Sequence, residues 1–279
     1  MLFKPRLLAT RTKLVGLRNR ALCSTAALNM HQECLAYKTD SYGGVIVDEL
    51  QLPEDPVEFR CKLEGALKTW VNAGVRGVWM KLPLSHAHLV GPAVQEGGFR
   101  PHHAGERHIM LVRWLAASPC TLPLGATHQV GVGAFVLNEQ QQVLMVMERN
   151  GPLKGKAVWK LPTGLCNEAE DVPEAAEREV LEETGIRARF DCMLAVRQAH
   201  GFALGHSDLF VVVAMRAEAG QLGSVVAQEE ELEAAQWMSL EDYAQQPFLK
   251  GVALYDKIRE RCLAYAAGRY RGFHAARLE

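Results

Sequence analysis

Apolar residues recur along this chain in two rhythms, and the switches between them predict its elements. Tyr42-Gly43-Gly44-Val45-Ile46-Val47 reads as a short strand after a glycine turn, opening a folded region at Asp40. Asp55-Pro56 supplies a helix N-cap with proline at the first position. Phe59, Leu63, Leu67 and Val71 then recur four apart, predicting a helix through Asn72. Gly77 to Leu82 reads as a buried strand, Ser85 to Gln95 as a second helix and His108 to Trp114 as a further strand. Strands alternating with helices imply an α/β domain over residues 40–115. Ala116 to Pro123 holds two prolines, a serine and no charge, and reads as a linker.

A second domain is expected over residues 124–268, with 269–279 as a tail. Gln129 to Leu137 and Val143 to Met147 are apolar runs separated by polar Asn138 to Gln142, a hairpin pattern. Pro173 opens a helix that Gly185 closes. Asp208 to Met215 reads as a strand and Gln236-Trp237-Met238 as a short one. Gly251 to Ala267 reads as a helix burying Val252, Tyr255 and Ile258.

Composition narrows the class. With 279 residues, 48% hydrophobic and 23% charged, the chain has the balance of a globular protein of about two domains, which excludes disorder, collagen and coiled coil. The best membrane candidate, Leu209 to Met215, has only strand length, so no integral membrane protein is expected. The net charge of −1 hides an imbalance: residues 1–32 carry six basic residues and no acid. An acid-free leader with arginines, and with Ser24 and Thr25 near its end, matches an organelle transit peptide, such as a mitochondrial one; a solvated basic tail is the alternative. Translation from Met30 would leave a cytoplasmic form. Seven cysteines, odd in number and without C-x-x-C, indicate neither a disulfide framework nor a zinc knuckle.

The acidic balance concentrates in one place. Gly164 to Ile186 holds eight acids and one base, Arg178. On the predicted helix Glu179, Glu182 and Glu183 share a face, with Glu183 expected to look toward metal and solvent, while Ala176, Val180 and Thr184 turn to the other side. Like charges so placed destabilise a helix unless cations neutralise them, and no lysine stands at i+4. A hard divalent cation resolves the repulsion. Oxygen-only ligands select Mg²⁺ or Mn²⁺ and leave coordination places for water and phosphate oxygens. A solvated acidic face is the bland alternative, but it leaves the glycines at both ends unexplained.

The segment resembles the Nudix box, G-x5-E-x7-R-E-U-x-E-E-x-G-U with U aliphatic. Gly164, Glu170, Arg178, Glu179, Val180, Glu182, Glu183, Gly185 and Ile186 stand at the required spacing. The resemblance implies a loop–helix–loop unit in an α/β/α sandwich, with Glu179, Glu182 and Glu183 as metal ligands, Arg178 orienting Glu179, and Glu170 bracing the loop. It also implies hydrolysis of a nucleoside diphosphate derivative by water attack on phosphorus, with the metal drawing charge from the phosphoryl oxygens. Glu231, just before the short strand at Gln236, is expected to add a ligand or base. Trp159-Lys160-Leu161-Pro162-Thr163-Gly164, Trp79-Met80-Lys81-Leu82-Pro83 and Gly98-Phe99-Arg100-Pro101-His102-His103 are similar to the subgroup of the fibroblast-growth-factor-antisense Nudix protein and its plant relatives. That subgroup implies NADH or ADP-ribose as substrate, with AMP released, and an acetyltransferase-like α/β domain ahead of the Nudix domain.

Acetyl transfer is therefore a rival activity. The nearest approach to the acetyl-CoA turn, Gln95 to Arg100, ends in arginine and follows the helix it should open, so the first domain reads as a packing, dimerising or substrate-covering module. Candidate substrate contacts are Trp159 for base stacking and Lys160, Arg149 and Arg197 for phosphates. Core packing is the alternative for the tryptophan and a solvated surface for the cations. His200 and His206 read as loop residues. Two other functions are carried: a nucleotide-sensing module without turnover, and an RNA-cap hydrolase. The latter wants a basic groove, for which only Lys250, Lys257, Arg259, Arg261, Arg269 and Arg271 offer material, so nucleic acid is not the expected partner.

Overall fold

The computed structural model describes residues 34–201, 205–221, 223, 225–246 and 253–273; the basic leader, Met30, Lys250 and Val252 lie outside them. The chain divides into two compact units, residues 1–125 and 126–279.

The first unit is a five-stranded sheet in the order β1-β2-β3-β5-β4, with β1 at Tyr37–Thr39, β2 at Val45–Val47, β3 at Gly77–Pro83, β4 at Arg100–Gly105 and β5 at His108–Trp114. The strand expected from Tyr42 is shorter, because the Asp40 carboxylate accepts the Tyr42 and Gly44 N–H groups and folds that stretch into a turn. Order begins before Asp40, since Leu35 is buried and β1 precedes the turn. Helix α1, Pro56–Asn72, starts as predicted, with the Asp55 carboxylate accepting the Glu58 N–H at 2.9 Å. Its buried stripe is Phe59, Leu63, Ala66 and Trp70, while Val71 is exposed. A strict i+4 step advances 400° and drifts off the inner face, so the i+3 partners take over. The stripe packs on Val45, Val78, Met80 and Leu82. The second helix is shorter than expected: a 3-10 turn at Leu84–Leu89, kinked at His86, precedes α2 at Val90–Gln95.

The second unit is built on a seven-stranded sheet, β10-β11-β6-β7-β12, with two short strands attached: β8 pairs with β7 and β9 with β6. The strands are β6 His128–Leu137, β7 Val143–Glu148, β8 Trp159–Lys160, β9 Thr163–Leu165, β10 Ala188–Ala199, β11 Ser207–Ala217 and β12 Leu232–Met238. The helices are α3 Val172–Thr184, α4 Leu240–Gln245 and α5 Ala253–Ala266. Ala175, Ala176 and Val180 of α3 pack on one face with Val132, Val136 and Leu144. Tyr243 of α4 and Cys262 and Tyr265 of α5 pack on the other with Phe135, Leu137 and Met145. This is an α/β/α sandwich.

The hairpin expected from Asn138 to Gln142 forms, but β6 and β7 pair only at Leu137↔Val143 before diverging. Into that gap go β8, in register Val146↔Lys160, and β9, in register Gly133↔Thr163. The last strand is longer than expected, starting at Leu232, and α5 buries Cys262 and Tyr265, with Tyr255 and Ile258 only half-buried. Strands β4 and β10 are sheet edges with a bulge, at Pro101/His103 in β4 and at two places in β10; β4, Arg100 to Gly105, offers no apolar alternation, and that of β10 runs only from Ala188 to Leu194.

Candidate functional site

The site is assembled where β9 runs into α3. Asp171 is the N-cap of α3, with Pro173 in its first turn, and Gly185 ends the helix at φ 69°, a left-handed conformation that favours glycine. The helix is thus fixed at both ends and its registration against the sheet is set.

Arg178 organises the outer carboxylates. Its Nε donates to Glu170 Oε1 at 2.7 Å and Nη2 to Glu170 Oε2 at 2.9 Å; Nη1 donates to Glu179 at 2.7 Å and to Glu182 at 3.1 Å. Nη2 also donates to the Leu165 carbonyl at 2.9 Å, so one guanidinium ties helix to preceding loop. Glu170 accepts the Asn167 N–H at 2.8 Å as well. The bidentate arginine, aided by that amide, holds the Glu170 carboxyl down to about 2.

Glu183 differs from the expectation of a side chain facing solvent. It is 4% exposed, because position 183 lies at the margin of the packed face beside Val180 and Thr184. One oxygen accepts the Thr163 N–H at 3.3 Å. Burial pushes its carboxyl up to about 8; Glu179 and Glu231 press the same way, while Lys160 and the Thr163 amide pull it down. Gly164 forms the floor: a Cβ there would fall on the Glu179 carboxylate.

Glu231 immediately precedes β12. Its loop is zipped to the end of α3, Gln228 N–H donating to the Glu183 carbonyl at 3.0 Å and Val226 N–H to that of Thr184 at 3.0 Å, which brings Glu231 within electrostatic reach of Glu183. Arg149 is exposed beside it, its N–H donating to the Glu231 carbonyl at 2.8 Å and its Nε to that of Leu232 at 3.1 Å. Lys160 is engaged twice, with Glu148 at 2.6 Å and Thr163 Oγ1 at 2.6 Å. Glu148, at the end of β7, was not legible as a site residue; its only signal is a charge closing an apolar run. Trp159 is half-buried against the cluster holding Phe135 and Met145. Arg197 lies on β10, ion-paired with buried Asp208 and stacked 5.4 Å over the Phe210 ring. His200 Nδ1 meets Ser207 Oγ at 2.9 Å on an exposed turn.

The donor set suits a hard cation. All the groups are carboxylate oxygens, one is buried with its carboxyl pushed up, and they are close enough to perturb each other. Among the described residues no three His, Cys, Asp or Glu side chains already converge as a cage, since Glu179 and Glu182 are turned to Arg178.

Among its described residues the first unit offers nothing comparable for acetyl-CoA. Gly97 and Gly98 follow the C-terminus of α2, and the Arg113 guanidinium donates to the Gly97 carbonyl there, so this turn presents acceptors already capped. No helix among the described residues is long and apolar enough to cross a membrane.

Comparison with known proteins agrees with this geometry. A family model described as Nudix hydrolase domain matches residues 35–115, and one described as NUDIX domain matches residues 127–260. Nudix hydrolase 2 of Arabidopsis thaliana is 44% identical over 239 residues, covering 86% of this chain and 84% of the relative. Nudix hydrolase 8 of the same plant is 39% identical over 265 residues, covering 95% and 70%. Human nucleoside diphosphate-linked moiety X motif 6 is 34% identical over 212 residues, covering 74% and 65%. With the arginine-tied carboxylate helix and its glycine floor in the second unit, and relatives of this similarity spanning both units, the chain belongs to the Nudix hydrolase family, whose members cleave pyrophosphate bonds.

Proposed function

We propose that the second unit is a Mg²⁺-dependent (or Mn²⁺-dependent) pyrophosphatase acting on a dinucleotide or nucleotide sugar, NADH and/or ADP-ribose, and releasing AMP. The observation that carries this reading is buried Glu183, held by the Thr163 amide beside Glu179 and within the field of Glu231. A carboxylate so placed has a use for a divalent cation and little use without one. Glu179, Glu182 and Glu183 would hold the metal, which when bound supplies Lewis-acid activation of the pyrophosphate and of a water. Arg178 and Glu170 keep Glu179 in line, the Gly164 floor admits its carboxylate, and Glu231 is the candidate to take the proton from the attacking water.

Among the candidate substrate cations, Arg149 is exposed next to Glu231 and is the one best placed for a phosphate. Trp159 has one half-buried ring and is the stacking candidate. Arg197 keeps its place at Asp208 and serves a phosphate only if that pair opens. The basic leader is proposed to direct one form to mitochondria and a start at Met30 to give a cytoplasmic form.

The test is AMP release by the chain from Met30 onward with Mg²⁺, offered NADH, ADP-ribose, diadenosine polyphosphates, CoA and capped RNA. AMP from NADH or ADP-ribose above the others supports the proposal. Preference for capped RNA would move the substrate to nucleic acid, and nucleotide binding without turnover would make the unit a sensor.

A further inference from the structure

We infer that Glu148, Lys160 and Thr163 form a strap that sets the height of the metal-binding carboxylates, making Lys160 a positioning residue and not a phosphate ligand. The inference rests on the pyrophosphatase reading of this site. Its ground is the gap between β6 and β7. β8 ladders only to β7 and β9 only to β6, so the two short strands, joined by Leu161-Pro162, belong to opposite sides of the divergence. The Pro162 carbonyl accepts the Ala134 N–H at 2.9 Å, and proline donates nothing in return. Lys160 spans the gap: its ammonium donates to Glu148 Oε1 on β7 at 2.6 Å and to Thr163 Oγ1 on β9 at 2.6 Å.

Both contacts are well sheltered, with 17% of the Lys160 side chain and 28% of the Glu148 side chain exposed. The far end of the strap touches the chemistry directly. The Thr163 N–H holds Glu183, and the next residue, Gly164, is the floor under Glu179. A shift of β9 relative to β7 therefore moves two carboxylates together, and partners that orient metal ligands in this way typically affect affinity by about 10- to 100-fold. An ammonium already bonded to a carboxylate and a hydroxyl has one donor left, a poor starting point for a phosphate clamp.

The experiment uses E148Q, K160M, T163V and T163S in the full chain, with Mn²⁺ affinity by titration and kcat and KM for NADH and ADP-ribose. The strap predicts that E148Q, K160M and T163V each weaken Mn²⁺ binding and lower kcat by about tenfold or more, with KM within about twofold. T163S, which keeps the hydroxyl, stays near wild type. The E148Q/K160M double variant is no worse than the poorer single, because both remove one link. A raised KM at unchanged kcat in K160M, wild-type Mn²⁺ affinity in T163V, or additive losses in the double variant would overturn it. If the wild type turns over neither nucleotide, the substrate reading fails, and the Mn²⁺ titrations alone still decide the strap.

Discussion

Glu183 and Glu170 lie thirteen residues apart, yet their surroundings drive them in opposite directions, and each therefore governs its own pH window. Glu170 sits at about 2, below the 4.5 of an unperturbed glutamate, so the stability it contributes is present above that value and lost as pH falls toward 2. Glu183 sits at about 8. Its folded state favours the neutral acid, so its contribution is complete below pH 4.5 and is lost as pH rises through 8. The metal-free protein should lose stability across that interval by up to about 1.4 kcal/mol per pH unit. Denaturant midpoints between pH 5 and 8 measure this, and Glu183→Gln, of equal volume, should flatten the curve; a slope unchanged in the variant would assign it elsewhere. Gly164 supports a sharper prediction. Gly164→Ala drives a methyl into the Glu179 carboxylate, and about a hundredfold loss of turnover is expected from the displaced ligand. Normal kinetics in that variant would mean that the floor is not tight.

At the scale of elements, α3 was the most legible part of the chain. Its proline, its closing glycine and the apolar positions at Ala176, Val180 and Thr184 all reappear in the structure as N-terminal turn, left-handed cap and packed face. The positions of the acids could be read too, but the depth of Glu183 could not, because a residue on the margin of a helical stripe is buried or exposed according to what lies opposite. Here that is the Thr163 amide, on a three-residue strand too short to show a period. Strand β10 was hidden for a different reason: its apolar positions alternate only from Ala188 to Leu194, and past the bulges after Phe190 and Met193 the pattern lapses in Ala195-Val196-Arg197-Gln198. Gly185→Ala tests the capping account. A left-handed alanine should cost about 1–2 kcal/mol, read from chemical denaturation. Loss of less than a few tenths would mean the helix end relaxes without it.

Alternating strand and helix patterns stand on either side of the proline-bearing stretch, and the two compact units enclose separate apolar clusters, one in the first and two in the second. What a whole-chain reading missed were pieces whose neighbours in space are distant in sequence: the edge strands, the two short strands that fill the β6–β7 gap, and Glu148, which reaches its partner Lys160 across that gap. Local periodicity reports which way a side chain points, not what it meets.

The proposed divalent-metal pyrophosphatase centre rests on the carboxylates around Glu183. It is tested most directly by AMP release from ADP-ribose or NADH, measured with and without Mg²⁺ in the wild type and in Glu183→Gln at equal folded concentration. Release should require Mg²⁺ in the wild type and fall by about a hundredfold or more in the variant. Release that ignores Mg²⁺, or that survives in Glu183→Gln, would contradict it.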